Sequence, residues 1–130
     1  MSSKSSFWYC SLESNLPKYH YKMPKASMEL IELDENEYIK RGIHEWMCDV
    51  FYMKGYIADE MIEDNLEMQL NDTDFDNLEN VLKTSNSRTR YFSDWDDLSG
   101  KEYYISDILD AIKECRKKMN EGYTIYYVYN

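Results

Sequence analysis

The sequence has few of the residues that build glycine-rich or nucleophilic active sites, with four glycines, two histidines and three cysteines in 130 residues. Because the glycines are scattered, neither a P-loop nor a GxGxxG turn can form to hold a phosphate. Nucleophilic catalysis needs a Cys or Ser beside a histidine and an orienting acid, and neither His20 nor His44 lies in a recognisable motif of that kind. We therefore expect a protein that is not an enzyme and uses no cofactor.

Long apolar runs are also absent. No stretch approaches the roughly 20 apolar residues that cross a bilayer, and the polar start, Met1–Ser6, is unlike a signal peptide. The three cysteines are far apart and odd in number, which is typical of reduced thiols buried as small hydrophobes. We expect a soluble cytoplasmic protein, in the host cytoplasm if a phage encodes it, that does not bind membranes.

Basic residues are scarce: 15 Lys and Arg stand against 25 Asp and Glu, a formal net charge of −10. The segment Ala58–Asp110, which we call the acidic block, holds fifteen acidic and four basic residues and so accounts for the whole excess. Phosphate contacts need Lys and Arg, so we expect no direct binding to nucleic acid. Acids confined to one region make a directional field that attracts a basic partner.

The pattern of apolar residues predicts one α+β domain over residues 1–130. The domain is predicted to contain a small antiparallel sheet, which includes the N- and C-terminal strands, and a cluster of three to four helices. Residues 1–6 are expected to be a flexible terminus and residues 13–27 a loop or arm. Strands are predicted at Phe7–Leu12, Met28–Leu33, Arg90–Phe92 and Tyr123–Tyr129.

Four helices are predicted from apolar positions at helical spacing. The first is capped by Asp34 and ends before Gly55, and the last is capped by Ser106 and ends before Gly122. Between them lie predicted helices at Asp59–Leu70 and Asp74–Leu82.

Two groups of residues resemble metal-binding motifs, but each lacks residues that its motif requires. Asp72, Asp74 and Asp76 have calcium-loop spacing, but Asn77 and Lys83 stand where the loop needs Gly and Glu, so a solvated turn is expected. His44 and Cys48 lie one helical turn apart, but no paired spacing supplies the two further ligands of a zinc site. We expect no metal, with Cys48 at the edge of the core.

The acidic block is the predicted binding surface. Like charges one turn apart destabilise a helix, and acids around aromatic residues are typical of proteins that bind a basic cleft; the alternative is an ordinary solvated surface. The predicted contacts comprise a helical face, an acidic turn and a loop around a tryptophan: Asp59, Glu60, Glu63, Asp64 and Glu67; Asp72, Asp74 and Asp76; Asp94, Trp95, Asp96 and Asp97.

Three functions are compatible with these features. The chain is similar in size, acidity and aromatic content to phage-encoded DNA mimics, anti-CRISPR and anti-restriction proteins. This likeness implies a small inhibitor of a basic, nucleic-acid-binding protein. Alternatively, Glu114–Gly122 followed by Tyr123–Tyr129 resembles the closing helix–glycine–strand of barstar-type inhibitors, which implies an immunity protein against a toxic nuclease. The third is a small enzyme or regulator with an ordinary acidic surface, favoured by a pocket with His44 or His20 beside a carboxylate of shifted pKa.

Overall fold

The computed structural model describes residues 4–11, 23–33, 37–58, 61–84, 91 and 101–130, with the backbone alone for 37–39 and 101–104. These residues form a small compact α+β domain, as predicted, with a four-stranded antiparallel sheet and three helices. The elements in chain order are β1 (Ser5–Ser11), β2 (Met28–Glu32), α1 (Glu37–Met53), β3 (Leu66–Leu70), α2 (Asp72–Lys83), α3 (Lys101–Asn120) and β4 (Tyr123–Tyr129).

The sheet has the strand order β2-β1-β4-β3, so the first and last strands of the chain lie at its centre. β1 and β4 pair over their whole length, from Ser5 opposite Tyr129 to Ser11 opposite Tyr123. This confirms the prediction that the antiparallel sheet includes the N- and C-terminal strands. The first strand begins at Ser5, within the six residues expected to be flexible, and Lys4 and Asn130 exchange backbone hydrogen bonds beyond it.

The predicted helix Asp59–Leu70 is wrong, because its second half is strand β3. Leu66, Met68 and Leu70 are buried, whereas Glu67 and Gln69 between them are half-buried. That alternation is the pattern of a strand, and pairing with β4 satisfies its backbone groups. The i, i+4 spacing of Ile62, Leu66 and Leu70 suggested a helix, but the same three residues also fit a turn followed by a strand.

The other helices agree with prediction apart from their ends. α2 begins at Asp72 after an Asn71 cap, two residues before the predicted start. α3 begins at Lys101, so the predicted Ser106 cap is wrong and Ser106 lies on its exposed side. Gly55 and Gly122 follow α1 and α3 with φ of 83° and 98°, a left-handed conformation that favours glycine.

Some predictions fall on residues that are described in part or not at all, among them most of the predicted loop 13–27. The Asp34 cap lies outside the described residues. Of the predicted strand Arg90–Phe92 only Tyr91 is described, and it is helical.

The core lies between one face of the sheet and the helices. Phe7, Met68 and Tyr127 from the strands are fully buried in the same cluster as Met47 from α1 and Leu82 from α2. The predicted state of the cysteines is confirmed, since all three are buried and free: Cys10, Cys48 and Cys115. None of the helices in the described part combines the length and the apolar character needed to cross a membrane.

Candidate functional site

A pocket of about 560 Å³ opens beside α1 and the end of β4. This volume is within the range of ligand-binding sites, roughly 300–1,000 Å³. Most of the lining comes from one face of α1, where residues three or four positions apart lie side by side. We call it the His44 pocket, and its lining residues are Arg41, His44, Glu45, Cys48, Asp49, Tyr52, Glu63, Tyr91 and Tyr129.

Hydrogen bonds fix the tautomer of His44. Its Nε2 lies 2.8 Å from the Ile62 carbonyl oxygen and 3.1 Å from the Glu63 carbonyl oxygen, and because carbonyl oxygens only accept, Nε2 carries the proton. Nδ1 therefore accepts from the Tyr127 hydroxyl at 3.1 Å. That hydroxyl in turn accepts from Ser5 Oγ at 2.9 Å, so a buried chain of hydrogen bonds holds the imidazole.

The His44 ring is also stacked on Tyr129, with ring centroids 3.6 Å apart and planes 12° apart. Burial lowers the pKa of His44, although the Ile62 and Glu63 carbonyls and the Glu63 charge act in the opposite direction. The imidazole is therefore neutral at neutral pH and serves as a rigid wall of the pocket.

Cys48 lies against His44 but is not arranged as a nucleophile. Its Sγ is 3.6 Å from His44 Nε2 and 3.8 Å from the Ile62 carbonyl oxygen. Burial raises the pKa of Cys48 to about 12, with smaller contributions from Glu63, Asp49 and Glu45. A reactive cysteine needs a lowered pKa and a base that can accept its proton, whereas His44 Nε2 donates to carbonyls. Cys48 lies at the edge of the core, as expected.

Carboxylates surround the mouth of the pocket. Glu45 and Glu63 are exposed and have no ion pair among the described residues, while Asp49 accepts a hydrogen bond from the Tyr91 hydroxyl at 2.9 Å. Arg41 supplies the positive charge in this lining. Since His44 is neutral, the lining carries three negative charges and one positive charge, a net charge of −2.

Four large hydrophobic side chains at and after the C-terminal end of α1 are exposed to solvent. Tyr52 lines the pocket and is 55% exposed. Three residues that follow it are more exposed still, at 84%, 83% and 65%: Met53, Ile57 and Met61. Their exposure leaves apolar surface that a partner could cover.

The predicted acidic helical face does not form, because its described residues lie on a turn and a strand. Glu63 and Asp64 are exposed on the turn that precedes β3. Glu67 is half-buried on β3, where its carboxylate accepts a hydrogen bond from the Met23 backbone N–H at 2.8 Å. Asp59 and Glu60 lie outside the described residues.

The acidic turn also differs from expectation, because Asp74 is buried and not solvated. Its carboxylate accepts from the Asn71 backbone N–H at 2.9 Å, completing a capping box at the start of α2. The same carboxylate pairs with Lys54 Nζ at 2.6 Å. Asp74 therefore stabilises the fold and is not accessible to a partner.

Arg116 of α3 partly neutralises the rest of this turn. Its guanidinium lies 3.1 Å from Asp72 and 2.6 Å from Asp76, both of which are exposed, and 3.5 Å from Glu79. Arg116 thus reaches two acids of the acidic block across 44 and 40 positions of the sequence. The loop of Asp94, Trp95, Asp96 and Asp97 lies outside the described residues.

The structure brings Glu63, one of the predicted contact residues, to the pocket and adds residues that the sequence did not identify. Glu45, Asp49 and Tyr52 share a face of α1, so their spacing could have indicated a polar stripe beside the apolar one. Tyr129 is brought to the pocket by β4, which no local pattern reveals.

Comparison with protein-family models, with curated proteins and with solved structures finds no match to this chain. In the described part of the chain, no group of three or more His, Cys, Asp or Glu side chains is placed to hold a metal ion. The assignment of function therefore depends on the surface chemistry of the chain itself.

Proposed function

We propose that this protein is a small acidic inhibitor that occupies the positively charged channel of a nucleic-acid-acting enzyme or complex, with its carboxylates in place of phosphates. The observation that carries the proposal is the His44 pocket face. There, the carboxylates of Glu45 and Glu63 are exposed, have no ion pair among the described residues, and line the same pocket as the exposed ring of Tyr52. The net charge of −10 adds long-range attraction to a basic surface.

The proposal centres the contact surface on the His44 pocket rather than on the acidic turn that the sequence predicted. Asp74 is buried, and Asp72 and Asp76 share Arg116, so these three are poor substitutes for phosphates. Glu63 and Asp64, from the original set, remain exposed, and Glu45 joins them. Apolar anchors such as Tyr52 and Met53 supply the buried area that charge alone does not provide.

The test begins with affinity capture from the source cell at about 50 mM and about 500 mM salt, because salt screens the attraction between exposed charges. We expect a basic, nucleic-acid-binding protein to be retained at low salt and released at high salt. The purified partner is then assayed for binding to labelled nucleic acid, with and without this protein. Simultaneous binding of both, or no basic protein retained at low salt, contradicts the proposal.

Charge-reversal variants locate the contact. E45K/E63K is expected to restore nucleic-acid binding by the partner, because it reverses two exposed carboxylates of the His44 pocket. E114K is the matched control, since Glu114 is an exposed glutamate on α3 outside the pocket. D94K/D96K/D97K tests the tryptophan loop separately. If all three variants inhibit as well as the original protein, the acidic surface is not the contact.

The second candidate function is a small enzyme or regulator that uses the His44 pocket itself. A pocket containing His44 beside carboxylates is what this alternative requires. The immunity-protein alternative shares the mechanism of the leading proposal, and a toxin gene adjacent in the genome distinguishes it from a phage inhibitor.

A further inference from the structure

We infer that the His44 pocket is a receptor for a single arginine side chain. The inference deepens the proposed function and rests on it, in that a basic partner supplies the arginine. It assigns one part of the contact to a defined cavity rather than to the acidic surface as a whole.

The walls of the pocket suit a flat cation. Three tyrosine rings line it, those of Tyr52, Tyr91 and Tyr129, and a guanidinium stacks favourably on such rings. Tyr129 is held in place by its stack on His44, which is itself fixed by two carbonyls and the Tyr127 hydroxyl. A wall built in this way is already ordered before a ligand arrives, so little entropy is lost on binding.

The charges of the pocket select a cation over an anion. Glu45 and Glu63 are exposed at the mouth and have no ion pair among the described residues. A guanidinium presents its N–H groups as a fork that two carboxylate oxygens can accept. Arg41 opposes a cation, but the three carboxylates of the lining outweigh it.

The volume of the pocket favours a side chain over a free ion. A volume of about 560 Å³ accommodates the aliphatic stem of an arginine as well as its guanidinium. The stem can lie against the rings while the charged head meets the carboxylates. Arginine fits better than lysine, because an ammonium is a compact point charge that neither stacks nor forks.

The test uses N-acetyl-arginine amide as the probe and follows the amide signals of the ¹⁵N-labelled protein by NMR. The matched control probe is N-acetyl-citrulline amide, which has nearly the same shape but no charge. N-acetyl-lysine amide separates guanidinium recognition from general attraction of a cation. We expect shifts at Tyr52, Glu63 and Tyr129 with arginine, weaker shifts with lysine and none with citrulline.

Variants of the pocket mouth complete the test. E45Q/E63Q removes two exposed charges without disturbing the core, and we expect the arginine probe to bind about five- to tenfold more weakly. E114Q, an exposed glutamate on α3, should leave its affinity unchanged. Equal shifts with arginine and citrulline, a preference for lysine, or shifts remote from the pocket overturn the inference.

This design separates the inference from the function on which it rests. If the original protein inhibits the captured partner but its pocket residues show no shifts with the arginine probe, the inhibitor proposal stands and the pocket inference fails. If the pocket binds arginine but the protein retains no basic partner at low salt, the pocket is a ligand site and the inhibitor proposal fails.

Discussion

Tyr126 and Tyr127 are consecutive residues of β4, yet their buried hydroxyls have opposite surroundings. The Tyr127 hydroxyl joins Ser5 and His44 in a chain of hydrogen bonds. The Tyr126 hydroxyl, on the other face of the sheet, is buried without a hydrogen-bond partner in the described part of the structure. Successive side chains of a strand point to opposite faces, and here one face supplies partners for a hydroxyl and the other does not.

We therefore expect opposite effects from the same change at the two positions. Y127F leaves Ser5 Oγ and His44 Nδ1 without their partner, and should lower the free energy of unfolding by about 1–3 kcal/mol. Y126F removes a buried hydroxyl that has no partner to lose, so it should leave stability unchanged or raise it slightly. Urea denaturation of both variants measures the difference, and equal losses would contradict the assigned hydrogen-bond chain.

Asp74 and Asp76 provide a second matched pair, two positions apart in α2. D74N weakens both the capping box and the pair with Lys54, and should cost about 2 kcal/mol of unfolding free energy. D76N weakens one contact of an exposed carboxylate with Arg116, and should cost less than about 1 kcal/mol. Thermal or urea unfolding measures the free energy of unfolding of both variants. A larger loss for D76N would show that the exposed acids around Arg116 contribute more to stability than Asp74 does.

The lowered pKa of His44 predicts a pH dependence of stability. The unfolded chain takes up a proton near the ordinary histidine pKa of 6.5, whereas the folded protein does so only at lower pH. Below 6.5 the unfolded state therefore binds more protons, and His44 destabilises the fold progressively until the folded pKa is reached. Above 6.5 its contribution is constant.

The H44Q variant lacks the histidine but keeps all the carboxylates of the original protein. The difference between the pH profiles of the two proteins therefore reports the titration of His44. Urea denaturation between about pH 5 and about pH 7.5 should show that the original protein loses more stability on acidification than H44Q does. The acidic neighbours Glu63 and Asp64 raise the pKa of His44 and so limit the effect. Parallel pH profiles for the two proteins would be inconsistent with a lowered His44 pKa.

The buried thiols predict a protein that does not react with alkylating reagents while it is folded. Burial raises the pKa of Cys115 and of Cys48, the latter to about 12. Because the thiolate is the reactive form, neither should be alkylated near neutral pH in the native state. Mass spectrometry after iodoacetamide treatment should find no modification at these two positions before denaturation and full modification afterwards. Rapid native labelling of Cys48 would instead indicate an activated cysteine beside His44.

Strong local patterns in the sequence were sufficient for part of the fold. The aromatic and β-branched run Tyr123–Tyr129 forms a strand with those bounds, and the apolar stripes of α1 and α2 form helices. Gly55 and Gly122 follow two helices with positive φ. In each case the preference belongs to the segment itself, so distant contacts did not have to be known.

Where the sequence pattern was compatible with both a helix and a strand, contacts with distant residues decided which of the two formed. Leu66–Leu70 is a strand because β4 offers it an edge to pair with, although its leucines are spaced for a helix. The predicted acidic helical face disappeared with that helix. Nothing in residues 59–70 alone records the presence of β4.

The sequence by itself determined the composition of the chain: a net charge of −10, many tyrosines, and an acidic excess confined to Ala58–Asp110. Only the tertiary structure decided which of the described acids are buried or paired. Arg116 reaches Asp76 across 40 positions, and His44 meets Tyr127 across 83. Burial and pairing depend on such distant neighbours, so Asp74 becomes part of the fold while Glu45 and Glu63 remain exposed at the mouth of the His44 pocket.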